Sequence, residues 1–249
     1  MEVVNDRVSI ISGAIDEIGT AISMRLAQKG AKVIICDSDE KRVNGLVSDI
    51  QSENGKAFGI VVDYTDGEQV KSSISKVLTD FGKVDILINN FDDRNGLKIQ
   101  NVTDSAWERS LSNNLSPVFY FIRELLPVMC SNKYGRIVNI SSIEYMGWPG
   151  SSNYSAAKSA MFGFTRSLAL ESAKDDVTVN CVAKGDIQVS DMSDDDIDKV
   201  IKGIPVKKLG TAEDVARTVG FFASDTSKYI TGQTFFVCGG KSAYFSMSI

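Results

Sequence analysis

Tyr154 and Lys158 stand four positions apart in a stretch, 153–173, patterned as a helix, so they share one helical face. An ammonium beside a phenol favours the phenolate and lowers its pKa toward neutral, making the tyrosine a usable acid or base. A second chemistry-bearing segment lies near the start of the chain. Residues 12–19 read Ser-Gly-Ala-Ile-Asp-Glu-Ile-Gly, after the apolar run Val8-Ser9-Ile10-Ile11 and before a helical pattern. This is the setting of a dinucleotide-binding βαβ unit, in which small residues let bare backbone approach a pyrophosphate that rests on the positive end of the helix. Asp16 and Glu17 already place negative charge at that end and can satisfy the helix dipole with no ligand present. Histidine is absent from the 249 residues, which removes Ser–His and Cys–His nucleophile pairs and His-ligated metals; no metal site is expected.

The elements that must position these residues alternate along the chain. Strands are expected at 7–12, 32–36, 57–62, 84–89, 135–141, 177–182 and 234–238, and helices at 18–29, 39–53, 67–80, 104–130, 153–173 and 211–223. Such alternation predicts an α/β fold: a Rossmann-type doubly wound parallel sheet of about seven strands, helices on both faces, in a single domain over 1–249. The acidic stretch 186–203 breaks the pattern after the sixth strand and reads either as a lid over the crevice or as a solvated loop. The last residues, 241–249, form a tail with several apolar side chains. A hydrophobic share of 43% supports a sizeable core, and a net charge of −5 argues against nucleic acid and anionic membrane as partners. No apolar run approaches the roughly 20 residues of a membrane span, and the four widely spaced cysteines read as buried free thiols of a reduced, cytoplasmic setting.

In their order and spacing, these motifs resemble the short-chain dehydrogenase/reductase (SDR) family over essentially the whole chain. Ser12-Gly13 and Gly19 match the family's glycine turn, and Asp37 ends the second strand 18 residues after Gly19. Asp63 closes the third strand, Asn89-Asn90 the fourth, and Asn114 sits in the next helix. Asn139-Ile140-Ser141-Ser142 precedes Tyr154-Ser155-Ala156-Ala157-Lys158; Tyr229 to Gln233 and Gly239-Gly240 follow near the end. The resemblance implies a catalytic tetrad of Asn114, Ser142, Tyr154 and Lys158, in which tyrosinate takes an alcohol proton while hydride leaves to nicotinamide. Strand alignment selects Ser142 as the serine, whereas spacing to Tyr154 favours Ser141. Pro117 cannot donate to the carbonyl of Asn113, so the helix should open there and leave backbone free for a relay water beside Asn114. The same four residues also read as a vestigial hydrogen-bond network.

The resemblance places cofactor-binding roles on Ser12, Gly13, Gly19, Asp37, Asp63 and Asn90, with Asp37 favouring NAD over NADP. Asp37 also reads as strand-end capping chemistry for the next helix. The surroundings depart from the family pattern. Glu17 replaces a glycine, Phe91-Asp92 replaces Ala-Gly, Lys184 replaces a proline after the sixth strand, and Val189 replaces a threonine. A carboxylate some 4–5 Å from a phosphate costs about 3–4 kcal/mol at an effective dielectric near 20. These five positions surround one ligand. The expectation is a pseudoenzyme subunit that binds no cofactor itself. It would pair with an active SDR paralogue carrying NAD in a heterotetrameric alcohol or hydroxyacyl-CoA-type dehydrogenase, assembled through 104–130, 153–173, 211–223 and 234–238. Two other readings stand beside it: an active NAD-dependent alcohol dehydrogenase using Tyr154 and Lys158, and a ligand-sensing module.

Overall fold

The structure is a computed structural model that describes residues 4–190 and 192–245. Seven strands, β1 (Val8–Ser12), β2 (Lys32–Asp37), β3 (Lys56–Val61), β4 (Ile86–Asn89), β5 (Gly135–Ser142), β6 (Val177–Lys184) and β7 (Thr234–Val237), form one parallel sheet in the order β3-β2-β1-β4-β5-β6-β7. Side chains alternate across this sheet, as the two-residue period of a strand requires. Ile11, Val33, Ile35, Ile88 and Val138 enter one apolar cluster, and Ile10, Ile34, Cys36, Leu87 and Ile137 enter the other. The first cluster is covered by α1 (Glu17–Gln28), α2 (Glu40–Ser52) and α8 (Ala212–Ala223). The second is covered by α3 (Gly67–Phe81), α5 (Ser116–Ser131) and α6 (Ser152–Ser172).

The helix expected over 104–130 is two helices, α4 (Asp104–Asn114) and α5, broken at Leu115. Pro117 stands in the first turn of α5, where its missing N–H costs nothing, so the proline begins a helix rather than loosening one. The acidic stretch contains α7 (Asp194–Lys202), capped by the Ser193 side chain, and the tail begins with a short helix, α9 (Lys241–Phe245). Asp63 lies two residues beyond the end of β3 and accepts from Thr65, so it closes a turn instead of the strand. The four cysteines are free, and Cys36, Cys181 and Cys238 are buried. No described helix is long and apolar enough to cross a membrane, and no metal-holding cluster exists among the described residues.

Strand order reverses between β1 and β4, and a crevice forms at the carboxyl ends of the strands beside such a switch point. Register brings Ser12 beside Asn89, Asn89 beside Asn139, and Ser142 beside Lys184. Beneath the crevice runs a buried chain of bonds: Ser12 Oγ to Asn89 Oδ1 at 3.0 Å, Asn89 Nδ2 to Asn139 Oδ1 at 2.9 Å, and Asn139 Nδ2 to Thr165 Oγ1 at 3.0 Å. This fixes β1, β4, β5 and α6 relative to one another with every amide answered on the side facing its neighbour.

Candidate active site

The glycine turn between β1 and α1 is shaped by its own neighbours. Gly13 has φ +68°, and a Cβ there would lie 2.0 Å from the Asn90 carbonyl oxygen; a Cβ at Gly19 would lie 2.6 Å from Ala14 backbone. Both glycines are therefore demanded by packing, whatever the turn binds. Its donors are answered within the chain. Gly13 N–H donates to the Cys36 carbonyl at 3.1 Å, Ile15 N–H to Asp37 at 3.4 Å, and Gly19 N–H to Asp16 at 2.6 Å. Asp16 is the N-cap of α1 and also accepts from Asn90 Nδ2 at 2.8 Å; burial nonetheless raises its pKa. Arg42 reaches across from α2 to donate to the Ile15 carbonyl. Asp37 is buried and accepts from Ser38 N–H at 2.8 Å, while α2 is capped by Asp39, so the capping role suggested for Asp37 falls to its neighbour.

The Glu17 carboxylate is exposed and accepts from both the backbone N–H and the hydroxyl of Ser190, each at 3.0 Å, which ties the 186–203 stretch to the start of α1 and lowers the Glu17 pKa. Phe91 is also not where steric obstruction of a ribose would put it. Its ring is 3% exposed and packs in the core, 4.9 Å from the Tyr64 ring and 6.0 Å from Phe121.

At the opposite side of the crevice the remaining departures from the family pattern meet the tetrad. The backbone of Asp92 is open to solvent, but its carboxylate turns inward and its side chain is only 19% exposed. Tyr154 donates its phenol to Asp92 Oδ1 at 2.5 Å, Lys158 Nζ lies 3.4 Å from the same oxygen, and Lys184 Nζ lies 2.8 Å from Oδ2. Lys158 also donates to the Phe91 carbonyl at 2.5 Å. The two lysines hold Asp92 far below the usual carboxylate range against the opposing effect of burial. Burial and the Asp92 charge push Tyr154 well above its ordinary value. Lys158, wholly buried, is pushed down by desolvation, and Lys184 is raised by Asp92. Read from sequence, Asp92 and Lys184 are two separate obstacles to a cofactor; in space they are one ion pair lodged in the tetrad.

The two serines and the asparagine differ in their bonds. Ser141 Oγ donates to the Lys158 carbonyl at 3.0 Å, while Ser142 lines the crevice with Tyr154 and accepts from Glu144 N–H at 3.2 Å. Asn114 is completely buried and fully engaged: Oδ1 accepts from Asp93 N–H at 2.9 Å, and Nδ2 donates to the carbonyls of Asp93 and Ser110, each at 3.0 Å. The Asn114 side chain thus clamps the segment carrying Asp92. The crevice is a cavity of about 350 Å³ whose walls include Ile143, Trp148, Val189 and Met192. Further ion pairs stand on its rim, Arg94–Glu144 at 2.8 Å and Lys241–Asp186 at 2.7 Å, with Lys241 4.9 Å from the centre of the Trp148 ring. None of the rim pairs was singled out in the sequence, where no spacing links the partners.

Comparison with known proteins agrees with this architecture. Residues 13–242 match the family model described as Enoyl-(Acyl carrier protein) reductase. The chain is 39% identical over 245 residues to (2S)-[(R)-hydroxy(phenyl)methyl]succinyl-CoA dehydrogenase subunit BbsC of Thauera aromatica, covering 98% of each chain. It is 33% identical over 244 residues to subunit BbsD of the same organism, covering 97% of this chain and 98% of that one. It is 37% identical over 238 residues to the 3-oxoacyl-[acyl-carrier-protein] reductase FabG of Escherichia coli (strain K12), covering 94% and 96%. The crystal structure of gox2181 superposes with a TM-score of 0.92 at 30% identity over 97% of each chain. With the seven-stranded parallel sheet, the glycine turn and the Tyr154–Lys158 pair in their places, these matches settle the family: the chain belongs to the short-chain dehydrogenase/reductases.

Proposed function

We propose that this chain is a non-catalytic SDR subunit that binds no nicotinamide nucleotide itself and works in a hetero-oligomer, a heterotetramer, with an active paralogue carrying NAD. The observation that carries this reading is Asp92. In a working pair, the charge of Lys158 lowers the pKa of Tyr154. Here that charge is taken up by Asp92, and the phenol proton is held by the same carboxylate. A tyrosine in this position stays protonated at neutral pH and is a poor base.

The turn supports the same conclusion. A pyrophosphate would have to displace Asp16 from Gly19 N–H, or sit beside its charge, at the cost of about 3–4 kcal/mol noted above. The residues present do not fit a dinucleotide, and no hydride step is assigned to this chain. Partnership with a paralogue is supported by the names of BbsC and BbsD, two SDR-length relatives that are named as subunits of one (2S)-[(R)-hydroxy(phenyl)methyl]succinyl-CoA dehydrogenase. The hydroxyacyl-CoA class of substrate is taken from the same names. A cytoplasmic setting fits the free thiols.

Titration with NADH, followed by fluorescence, tests the reading on the isolated chain and on the chain co-expressed with its paralogue. The expected outcome is no saturable binding alone, and one site per paralogue subunit in the complex. Binding by the isolated chain as tight as that of an active SDR would overturn it. The alternative, an active NAD-dependent alcohol dehydrogenase, rests on Ser142, Tyr154 and Lys158 remaining together at one crevice, with Asp37 placed at the end of β2.

A further inference from the structure

Two ammonium groups and a phenol hydroxyl converge on one carboxylate at the floor of the crevice. Both oxygens are used: Oδ1 by Tyr154 at 2.5 Å and Lys158 at 3.4 Å, Oδ2 by Lys184 at 2.8 Å. The donors come from two separate elements, α6 and the end of β6, and are themselves nearly enclosed, with the side chains of Lys158 and Lys184 1% and 16% exposed. Two cations facing each other in such a place repel unless an anion stands between them. The occupant arrives on a segment that is firmly held. Next in chain, Asp93 is fixed by Asn114 on both its N–H and its carbonyl, and its side chain by Arg109 at 3.2 Å and Asn113 at 2.6 Å. Asp92 is therefore a permanent resident of the site, not a gate that swings.

We propose that Tyr154, Lys158 and Lys184 form a carboxylate-binding site that the chain's own Asp92 fills as a built-in ligand, and that vacating it turns the crevice into a receptor for small monocarboxylates. The adjoining cavity of about 350 Å³ gives such an ion its way in, and its apolar wall at Ile143, Trp148 and Met192 tolerates a short alkyl group. The site involves no nucleotide. It stands whether the chain is a non-catalytic subunit or an active dehydrogenase, and its test measures neither turnover nor NADH binding.

The test is Asp92→Ala, titrated with acetate and with sodium chloride at equal ionic strength. Acetate should raise the unfolding midpoint of the variant by roughly 5–10 °C at about a hundredfold excess over its Kd. Chloride should do much less, and the wild-type chain, its site already filled, should not respond to acetate. Adding Lys184→Met to the variant should abolish the response. An acetate effect no larger than that of chloride, or equal in wild type and variant, would overturn the proposal. Asp92→Asn keeps the shape of the residue and guards against a variant that does not fold. Without the carboxylate, Lys158 and Lys184 are left to stabilise the nearest anion on offer, the Tyr154 phenolate, against its burial and the charge of Glu144. The ultraviolet titration of Tyr154, taken as the difference from Asp92→Asn/Tyr154→Phe, should move down by at least about one pH unit from wild type. An unmoved titration would refute the three-donor site.

Discussion

Asp92 changes what Lys158 does for Tyr154. On the proposed non-catalytic reading, the Tyr–Lys spacing that serves acid–base chemistry elsewhere is here a structural ion network around the Asp92 carboxylate. Tyr154→Phe in the natural complex should therefore leave turnover nearly unchanged and cost about 1.5–3 kcal/mol of stability, the range for a hydrogen bond to a charged group. Steady-state kinetics and denaturant unfolding measure both; a hundredfold fall in turnover with assembly intact would make Tyr154 the acid–base and favour the active-enzyme alternative. The pH dependence follows from the lowered pKa of Asp92. A carboxylate whose pKa is depressed by folding adds stability that is fully present above the unfolded value near 3.9 and lost as pH falls below it. Wild type should thus exceed Asp92→Asn in stability at pH 7, and the gap should shrink on acidification below about pH 4. A gap independent of pH would mean that the carboxylate charge contributes nothing. Phe91 shows the limit of reading residues singly. Its substitution for a small residue looks like an obstruction, yet the ring serves the core, and Phe91→Ala should cost about 3–5 kcal/mol without opening the crevice.

Elements were largely legible in the sequence. Apolar β-branched runs gave all seven strands to within a residue or two; five of them are buried on both faces, which demands such runs, while the edge strands β3 and β7 are partly exposed. The opening expected at Pro117 is present as a break at Leu115, but it divides the stretch into two helices, since proline begins a helix as readily as it ends one. The direction of side chains at the crevice was not legible. Asp92, Lys158 and Lys184 come from three elements brought together by strand order, and no spacing along the chain records that meeting. Nor did sequence distinguish a Glu17 aimed at a phosphate from one clasping the lid. The clasp belongs to α1 and the lid as units. Glu17→Gly should free the lid, so limited proteolysis within 186–203 should accelerate several-fold while the global unfolding midpoint barely moves. Glu17→Gly with Asp92→Gly, leaving Asp16 in place, should not recover saturable NADH binding, because the Asp16 cap still occupies Gly19 N–H. Recovery by that pair, with the fold intact, would move the obstruction from the Asp16 cap to the other two carboxylates.

The whole molecule carries exposed apolar side chains on the elements that the family resemblance assigns to assembly. Leu170 on α6 is 84% exposed, Phe119 on α5 and Trp107 on α4 are 43% and 40% exposed, and Phe235 on β7 is 54% exposed. On the function proposed above, the chain would contribute through such faces and through its tail. The tail is anchored at its first residue: Lys241 is 9% exposed, pairs with Asp186 and lies against Trp148, at the rim of the crevice. Ser246 to Ile249, the outer part of the tail, lie outside the described residues. Truncation immediately after Gly240 would remove this anchor and confound crevice stability with partner contact. Truncation after Ala243 keeps Lys241 and removes Tyr244 to Ile249, in which each large apolar side chain that a neighbour buried would be worth about 1.5–3 kcal/mol. The shorter chain should keep its own unfolding midpoint, yet form a weaker complex on size-exclusion chromatography or shift the apparent substrate affinity of its paralogue. Unchanged assembly together with unchanged kinetics would show that the outer tail has no part in the partnership, and would leave the faces around Leu170 and Phe235 to carry it alone.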